Sequence, residues 1–326
     1  MSLFLIYLLS CILITLIFIN SKKISYKIKL FKKGIDEKPL TGGLGIYLFF
    51  FTNIFFLYFF SHNIINVQIF LLLFLTIIFL IGIMDDIFNL SYSFRLISIF
   101  FLLVFFFNLD GALIVNEFYF ETFKRTYVVN NFAYFLTPLF ILLLLNSMNM
   151  ADGINGLSGM IFLSYVLILF SNNNELNYLI YFLIFSLLIF LIFNIKNKIY
   201  MGDSGIYFLS TIISFYTISE YNYGVSELSC EKIFLIFMIP GIDMFRLFCQ
   251  RILNKKNPFK GDLNHLHHLL IKEFSISKTL TVYILLILWP NLILKIFKIE
   301  VFLLIFINMA MYTSLVFYLK KKINLN

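Results

Sequence analysis

The sequence predicts an all-α, polytopic integral membrane protein of about eleven transmembrane helices, and three observations carry that expectation. Of 326 residues, 61% are hydrophobic and 13% charged, with a mean hydropathy of +0.95. Apolar runs of about 15–20 residues recur from end to end, the length needed to cross a hydrocarbon core about 30 Å thick. Runs such as LLLFLTIIFLIGIM and LIYFLIFSLLIFLIF lack the polar stripe of a soluble amphipathic helix. The ten-residue alternation of β-barrel strands is missing.

Taken in order, the apolar runs predict helices near residues 3–19, 44–60, 65–84, 94–108, 131–146, 157–170, 177–194, 204–218, 232–249, 279–294 and 300–319. Leu3 to Ile19 has neither a basic leader nor a small-residue cleavage site, and lysines follow it. It reads as a membrane helix with its N-terminus outside, not as a cleaved signal. The second run opens on Gly42-Gly43, and Ser61–Asn63 parts it from the third. The third ends on Asp85-Asp86, and the fifth, a short run that a tilted or broken helix would fit, ends in an Asn-rich patch. SNNNELN, KNKIYMGD, SEYNYGVSELS and the long NKKNPFKGDLNHLHH separate the sixth through tenth runs, and FKIE precedes the last. No low-complexity linker or internal repeat divides the chain, so residues 1–326 read as one membrane domain. The missing repeat weighs against inverted-repeat carriers.

Alternating sides from an outer N-terminus puts twenty Lys and Arg residues on the inner side and five (Lys124, Arg125, Lys232, Lys295, Lys298) on the outer. That bias predicts a cytoplasmic C-terminus and a cytoplasmic location for the polar patches. The net charge of +8 follows from topology and anionic lipid and implies no nucleic-acid partner. Cys11, Cys230 and Cys249 show neither disulfide nor metal-ligand spacing.

The chemistry lies in the polar patches. Carboxylates are costly in a bilayer, about 2.5–3.5 kcal/mol each at its centre, so a cluster of them at one end of the helices suggests a site for a metal ion and phosphate. In KPLTGG, Gly42-Gly43 at a helix entrance either bring backbone N–H groups to an anion or serve as a packing turn. Asp85 and Asp86, about 100° apart on a helix, divide roles: one for a metal or phosphate, the other to orient a neighbour such as Arg95. Asn146, Asn149, Asp152 and Asn155 recur every three residues beside small residues, a surface suited to reading a nucleotide or sugar. Asp203 in MGDSG is either a helix N-cap or, with a substrate diphosphate, one protein ligand of Mg²⁺ (Mn²⁺ is also suited). His265, His267 and His268 lack zinc-site spacing and suit phosphate oxygens better. Asp243 and Arg246, three apart, read as a buried ion pair.

Taken together, KPLTGG, Asp85-Asp86, N-x-x-N-x-x-D-G-x-x-G-L, MGDSG and D-x-N-HLHHLL resemble the polyprenyl-phosphate N-acetylhexosamine-1-phosphate transferases of glycosyltransferase family 4. This group contains the initiating enzymes of O-antigen, enterobacterial common antigen and wall teichoic acid synthesis. Phospho-N-acetylmuramoyl-pentapeptide-transferase is a more distant relative. The resemblance covers residues 38–270. It implies a bacterial inner-membrane enzyme with a cytoplasmic site and Mg²⁺. Its reaction would pass a sugar-1-phosphate from a UDP-N-acetylhexosamine to a polyprenyl phosphate and release UMP; a homodimer is compatible with it. Carried over by position, Asp203 is the metal ligand, and Asp85 and Asp86 are the acidic pair near the acceptor phosphate. Asp152 falls among the catalytic residues. Lys38, Thr41, Asn149, Asn155, Tyr200 (stacking on uracil), His265, His267 and His268 contact nucleotide or sugar. Two positions depart from the family: Asn155 stands where many members carry Asp, and Leu263 where many carry Arg, leaving Lys260 or Arg251 to supply that charge. HLHHLL favours the N-acetylhexosamine branch, with UDP-N-acetylglucosamine as the default donor. The competing reading is a transporter or flippase for lipid-linked sugars that couples ions through intramembrane acids.

Overall fold

A computed structural model describes residues 2–32, 38–60, 66–170, 177–223, 228–258, 262–297 and 299–325. Lys33, Lys260 and Lys298, all part of the charge tally, lie outside the described residues. The elements are α1 (Ser2–Ile19), α2 (Ser21–Ile28), β1 (Phe31–Lys32), β2 (Lys38–Pro39), α3 (Gly42–Phe60), α4 (Asn66–Phe88), α5 (Tyr92–Leu109), β3 (Glu117–Phe120), β4 (Arg125–Val128), α6 (Ala133–Ala151), α7 (Leu157–Leu169), α8 (Asn177–Asn194), α9 (Gly202–Tyr223), α10 (Cys230–Leu253), α11 (Leu266–Glu273), α12 (Ile276–Ile296) and α13 (Val301–Leu325). Each expected apolar run coincides with a helix. Among the described residues, six helices are long and apolar enough to cross a membrane (α4, α5, α6, α10, α12 and α13), and α1 with α2 forms a pair bent by 72°.

Two features depart from the expectation. The chain is not purely helical: β1 pairs antiparallel with β2, and β3 with β4 in the register Glu117↔Val128 to Phe120↔Arg125. Several helices also run past their apolar stretch. Helix α4 extends to Phe88, so Asp85 and Asp86 sit in its last turn and not in a loop. Helix α6 extends to Ala151 and carries Asn146 and Asn149, with Asp152 as its C-cap.

Helix α9 is long enough but too polar to count among these six, and its surroundings explain why. It is buried at nearly every position from Gly202 to Ile218, packed among α4, α6, α3 and α7. A helix that meets protein on every side needs no apolar stripe for lipid. Three of its hydroxyls bond within the helix: Thr211, Ser214 and Thr217 donate to the carbonyls of Tyr207, Ser210 and Ile213 at 2.7, 2.8 and 2.8 Å. Small residues let the neighbours come close, as in membrane helix pairs generally. A Cβ on Gly43 would lie 2.3 Å from the Gly205 nitrogen, and one on Gly82 would lie 2.4 Å from Ser204 Cα.

At the C-terminal end of α9 the β3–β4 ribbon is tied down. The Tyr221 hydroxyl accepts from the Tyr119 N–H at 2.6 Å and donates to the Glu117 carbonyl at 2.9 Å. The Glu231 carboxylate takes the Glu121 and Thr122 N–H groups at 3.1 and 3.2 Å. The α9 N-terminus lies at the opposite end of the bundle.

Because the α3–α9 contact is backbone on backbone, Gly43→Ala is expected to lower the thermal midpoint of the purified protein, at a cost of about 1–3 kcal/mol. Gly241→Ala in α10, where an added Cβ meets nothing within 4 Å, is expected to leave it unchanged or raise it.

Candidate active site

At the α9 N-terminus, residues far apart in sequence line one cavity of about 940 Å³. Asp86, Asp152 and Asp203 form its acidic wall, with Asn149, Asn155 and Tyr200 beside them; Lys29 and Lys38 add positive charge. Apolar lining comes from Phe31, Leu40, Ile87 and Ile271.

The acidic wall is built on a helix cap donated by another helix. Both carboxylate oxygens of Asp86, from α4, accept N–H groups of α9: Asp203 at 2.7 Å and Ser204 at 3.1 Å. These are among the amides that a helix leaves unpaired at its start, and the helix dipole favours negative charge there. Gly202 makes the approach possible. Its φ is +76°, and a Cβ would fall 2.8 Å from Asp86 Oδ2. Asp203 therefore is not the N-cap; Asp86 is. Among the described residues no hydrogen bond or ion pair engages the Asp203 carboxylate. Asp86, Asp85 and Asp152 act on it electrostatically, opposed by Arg95.

Asp85 has a different environment from its neighbour. It is buried, takes the Leu90 N–H at 2.9 Å, and pairs with Arg95 at 2.9 Å and the Tyr207 hydroxyl at 2.6 Å. Asp85 thus orients Arg95, and Asp86 faces the cavity.

Two asparagines join the polar loops. Asn194 Oδ1 accepts the Gly156 N–H at 2.6 Å, and its Nδ2 donates to the Ile199 carbonyl at 2.8 Å. Asn155 Nδ2 donates to Asn197 Oδ1 and, at 3.4 Å, to the Tyr200 hydroxyl. The α6–α7 turn bearing Asp152 and the strand of chain bearing Tyr200 and Asp203 are thereby held together. Lys38 Nζ lies 4.9 Å from the Tyr200 ring centroid, a cation–π distance.

The paired glycines do not bind an anion here. The Gly42 and Gly43 N–H groups donate to the Tyr200 and Met201 carbonyls at 2.9 and 2.8 Å, so the packing-turn alternative describes them. Thr41 is fully buried and does not line the cavity. Arg251, considered as a stand-in for the arginine absent at Leu263, is buried and paired with Asp262 at 2.8 Å.

The histidines stand behind the cavity and not on its surface. His265 Nδ1 is 2.8 Å from Asp243 Oδ2. Asp243 also takes the Leu266 N–H, at 3.2 Å to each oxygen, along with the Tyr312 hydroxyl at 2.6 Å and Arg246 at 2.8 Å. Asp243 thus caps α11 from α10, as Asp86 caps α9 from α4. His267 is completely buried. It presses on Gly153 in the cavity wall, where a Cβ would lie 2.0 Å from its Nε2, and neither ring nitrogen has a partner among the described residues. His268 tilts against it, with ring centroids 4.1 Å apart.

Among the described residues no three His, Cys, Asp or Glu side chains cluster as a protein-only metal site. A sparse carboxylate set still fits Mg²⁺, which keeps waters and takes one or two protein carboxylates together with substrate phosphates. Asp203, which has no hydrogen-bond or ion-pair partner among the described residues and shares the cavity with Asp86 and Asp152, is the residue that could hold it.

Comparison with known proteins agrees with the motif reading. Residues 68–220 match the family model of glycosyl transferase family 4. Over that stretch the chain is similar to that family. The matched stretch runs from α4 to α9 and holds Asp85, Asp86, Asn149, Asp152, Asn155, Tyr200 and Asp203. Over 221 residues the chain is 26% identical to an undecaprenyl-phosphate alpha-N-acetylglucosaminyl 1-phosphate transferase of Thermotoga maritima, covering 66% of each chain. It is 29% identical over 292 residues to proteins of the same name from Salmonella typhi and Salmonella typhimurium, covering 81% of this chain and 76% of theirs.

Sequence reasoning missed Asn194, Lys29 and Tyr207. Asn194 had a signal, a lone amide ending an apolar run; Lys29 was absorbed into the topological charge count.

Burial, then the neighbouring His268 and His265, lowers the pKa of His267 to about 3, so it is neutral near pH 7. Below its ordinary value near 6.5 the unfolded chain binds a proton that the folded chain refuses. Stability conferred above that pH is therefore lost as pH falls from 6.5 towards 3, at a slope approaching about 1.4 kcal/mol per pH unit for this one group. Thermal midpoints between pH 7.5 and 5 are expected to fall less steeply in His267→Phe than in the wild type.

Proposed function

We propose that the protein transfers an N-acetylhexosamine-1-phosphate, in the first instance GlcNAc-1-phosphate, from a UDP-sugar to undecaprenyl phosphate. UMP leaves, and a lipid-linked cell-envelope glycan begins. The observation that carries this reading is the cavity itself, which brings together Asp86, Asp152 and Asp203, two lysines, an aromatic ring and side-chain amides. The names of the relatives from Thermotoga and Salmonella point to the same transfer. We further assign eleven membrane crossings, an outer N-terminus and a cytoplasmic site in a bacterial inner membrane, supported by the twenty-to-five distribution of basic residues.

Two anions must meet, so positioning and charge neutralisation supply most of the rate. Lys29 and Lys38 draw the phosphates in, and Tyr200 offers its ring to the base while Asn149 and Asn155 read polar edges. An oxygen of the acceptor phosphate attacks the β-phosphorus of the donor, and the bond from that phosphorus to the UMP oxygen breaks. Mg²⁺, when bound at Asp203, would neutralise charge on the diphosphate. The direct route fits better than a covalent aspartyl intermediate. Asp85 is spent on Arg95 and Tyr207, and both Asp86 oxygens are occupied by α9 amides, which lowers the nucleophilicity of each. The carrier reading is less well supported, because the acids that line the cavity gather at helix ends on one side.

Purified protein given UDP-GlcNAc, polyprenyl phosphate and Mg²⁺ is expected to release UMP, and Asp203→Asn to lower that rate by about a hundredfold or more. No release with any UDP-N-acetyl sugar would contradict the assignment. In the absence of acceptor the wild type is expected to show no exchange of UMP into UDP-sugar; such exchange, lost in Asp86→Asn, would favour the covalent route.

A further inference from the structure

The α2 helix has no part in the chemistry described so far, yet its composition and placement are specific. It leaves α1 at 72°. The α1 side chains Leu9, Leu16 and Ile19 are 54%, 50% and 67% exposed, as befits a helix standing in lipid, so α2 turns towards the plane of the membrane. No acidic residue occurs between Ser21 and Ile35, a stretch with six lysines. Ser21 and Ser25 are buried on the protein side, while Lys22, Lys23, Tyr26 and Lys27 are exposed. An aromatic ring among lysines is the composition of a helix at the headgroup level, where stems and rings lie along the apolar boundary and charges reach the phosphates.

Its far end leads directly to the cavity. Lys29 closes α2 in the left-handed conformation with its N–H on the Ser25 carbonyl, and the carbonyl of buried Leu30 accepts the Leu40 N–H at 3.0 Å. Tyr26 packs against Phe31, with ring centroids 5.9 Å apart. Lys29, Phe31 and Lys38 all line the cavity.

We propose that α2 is a basic surface helix that docks on the anionic headgroups of the bilayer, holding the β1–β2 ribbon with Lys29 and Lys38 at the cavity mouth. The partner is a lipid surface bearing phosphate charge, matched by lysines with no intervening acid. Each lysine near such a surface shifts docking by about fivefold, an effect that salt screens.

The test uses the full chain in nanodiscs of phosphatidylcholine alone or with 30% phosphatidylglycerol, reading amide hydrogen exchange over Ser21–Lys29. The expected result is exchange at least about tenfold slower in the phosphatidylglycerol discs. That difference should vanish in the Lys22→Gln/Lys23→Gln/Lys27→Gln variant and narrow in 0.5 M salt. Helix α11 serves as the control, because its amides should exchange alike in both discs. Equal exchange of α2 in the two discs, a difference that survives the triple substitution, or equal slowing in α11 would each overturn the proposal. UMP release by the triple variant in phosphatidylcholine discs, measured in parallel, keeps failure of docking distinct from failure of the transferase reading.

Discussion

The structure depends on one contact, the Asp86 carboxylate of α4 seated on the first free amides of α9. A helix start presents unpaired N–H groups and the positive end of its dipole, and a buried start must have those groups satisfied by neighbouring elements. Asp86 fills that role from a neighbouring helix, and the same contact fixes where Asp203 stands. The positive φ of Gly202 and the small contacts of Gly43 and Gly82 are the local conditions that let three helices converge there.

The same device recurs around the site. Asp243 of α10 holds the start of α11, and Asn194, the last residue of α8, holds the Gly156 amide at the start of α7. Each of these side chains joins one helix end to another, so the polar loops are set by the bundle and not by their own flexibility. Burying a charge costs several kcal/mol unless it is paired and hydrogen-bonded. Asp85 meets that demand through Arg95, Tyr207 and Leu90, and Asp243 through Arg246, His265, Tyr312 and Leu266. Among the described residues Asp203 has no such partner, which is the electrostatic ground for placing the proposed cation there.

Much of this was legible in the sequence because burial in lipid leaves few polar residues to interpret. The helices followed from apolar run length, and the site followed from where Asp and Asn interrupt those runs. Asp86, Asp152, Asp203, Asn149, Asn155 and Tyr200 share one cavity although up to 117 residues separate them. What the sequence did not disclose were relations that need three dimensions. Asp85 and Asp86 are adjacent and chemically identical, and only the direction of each side chain separates the residue that holds Arg95 from the one that caps α9. The histidines resemble surface ligands as a motif, yet packing turns His267 inward against Gly153. The β1–β2 and β3–β4 ribbons are too short to register as alternating patterns.

The central claim is that a carboxylate on α4 holds the start of α9, and site-resolved hydrogen exchange at the Asp203 and Ser204 amides tests it directly. Amides in the first turn of a helix normally exchange fast. Here both are expected to be protected in the wild type and to exchange freely in Asp86→Ala, with the middle of α9 unchanged. Fast exchange at both positions in the wild type, or protection that persists without the Asp86 carboxylate, would contradict the account.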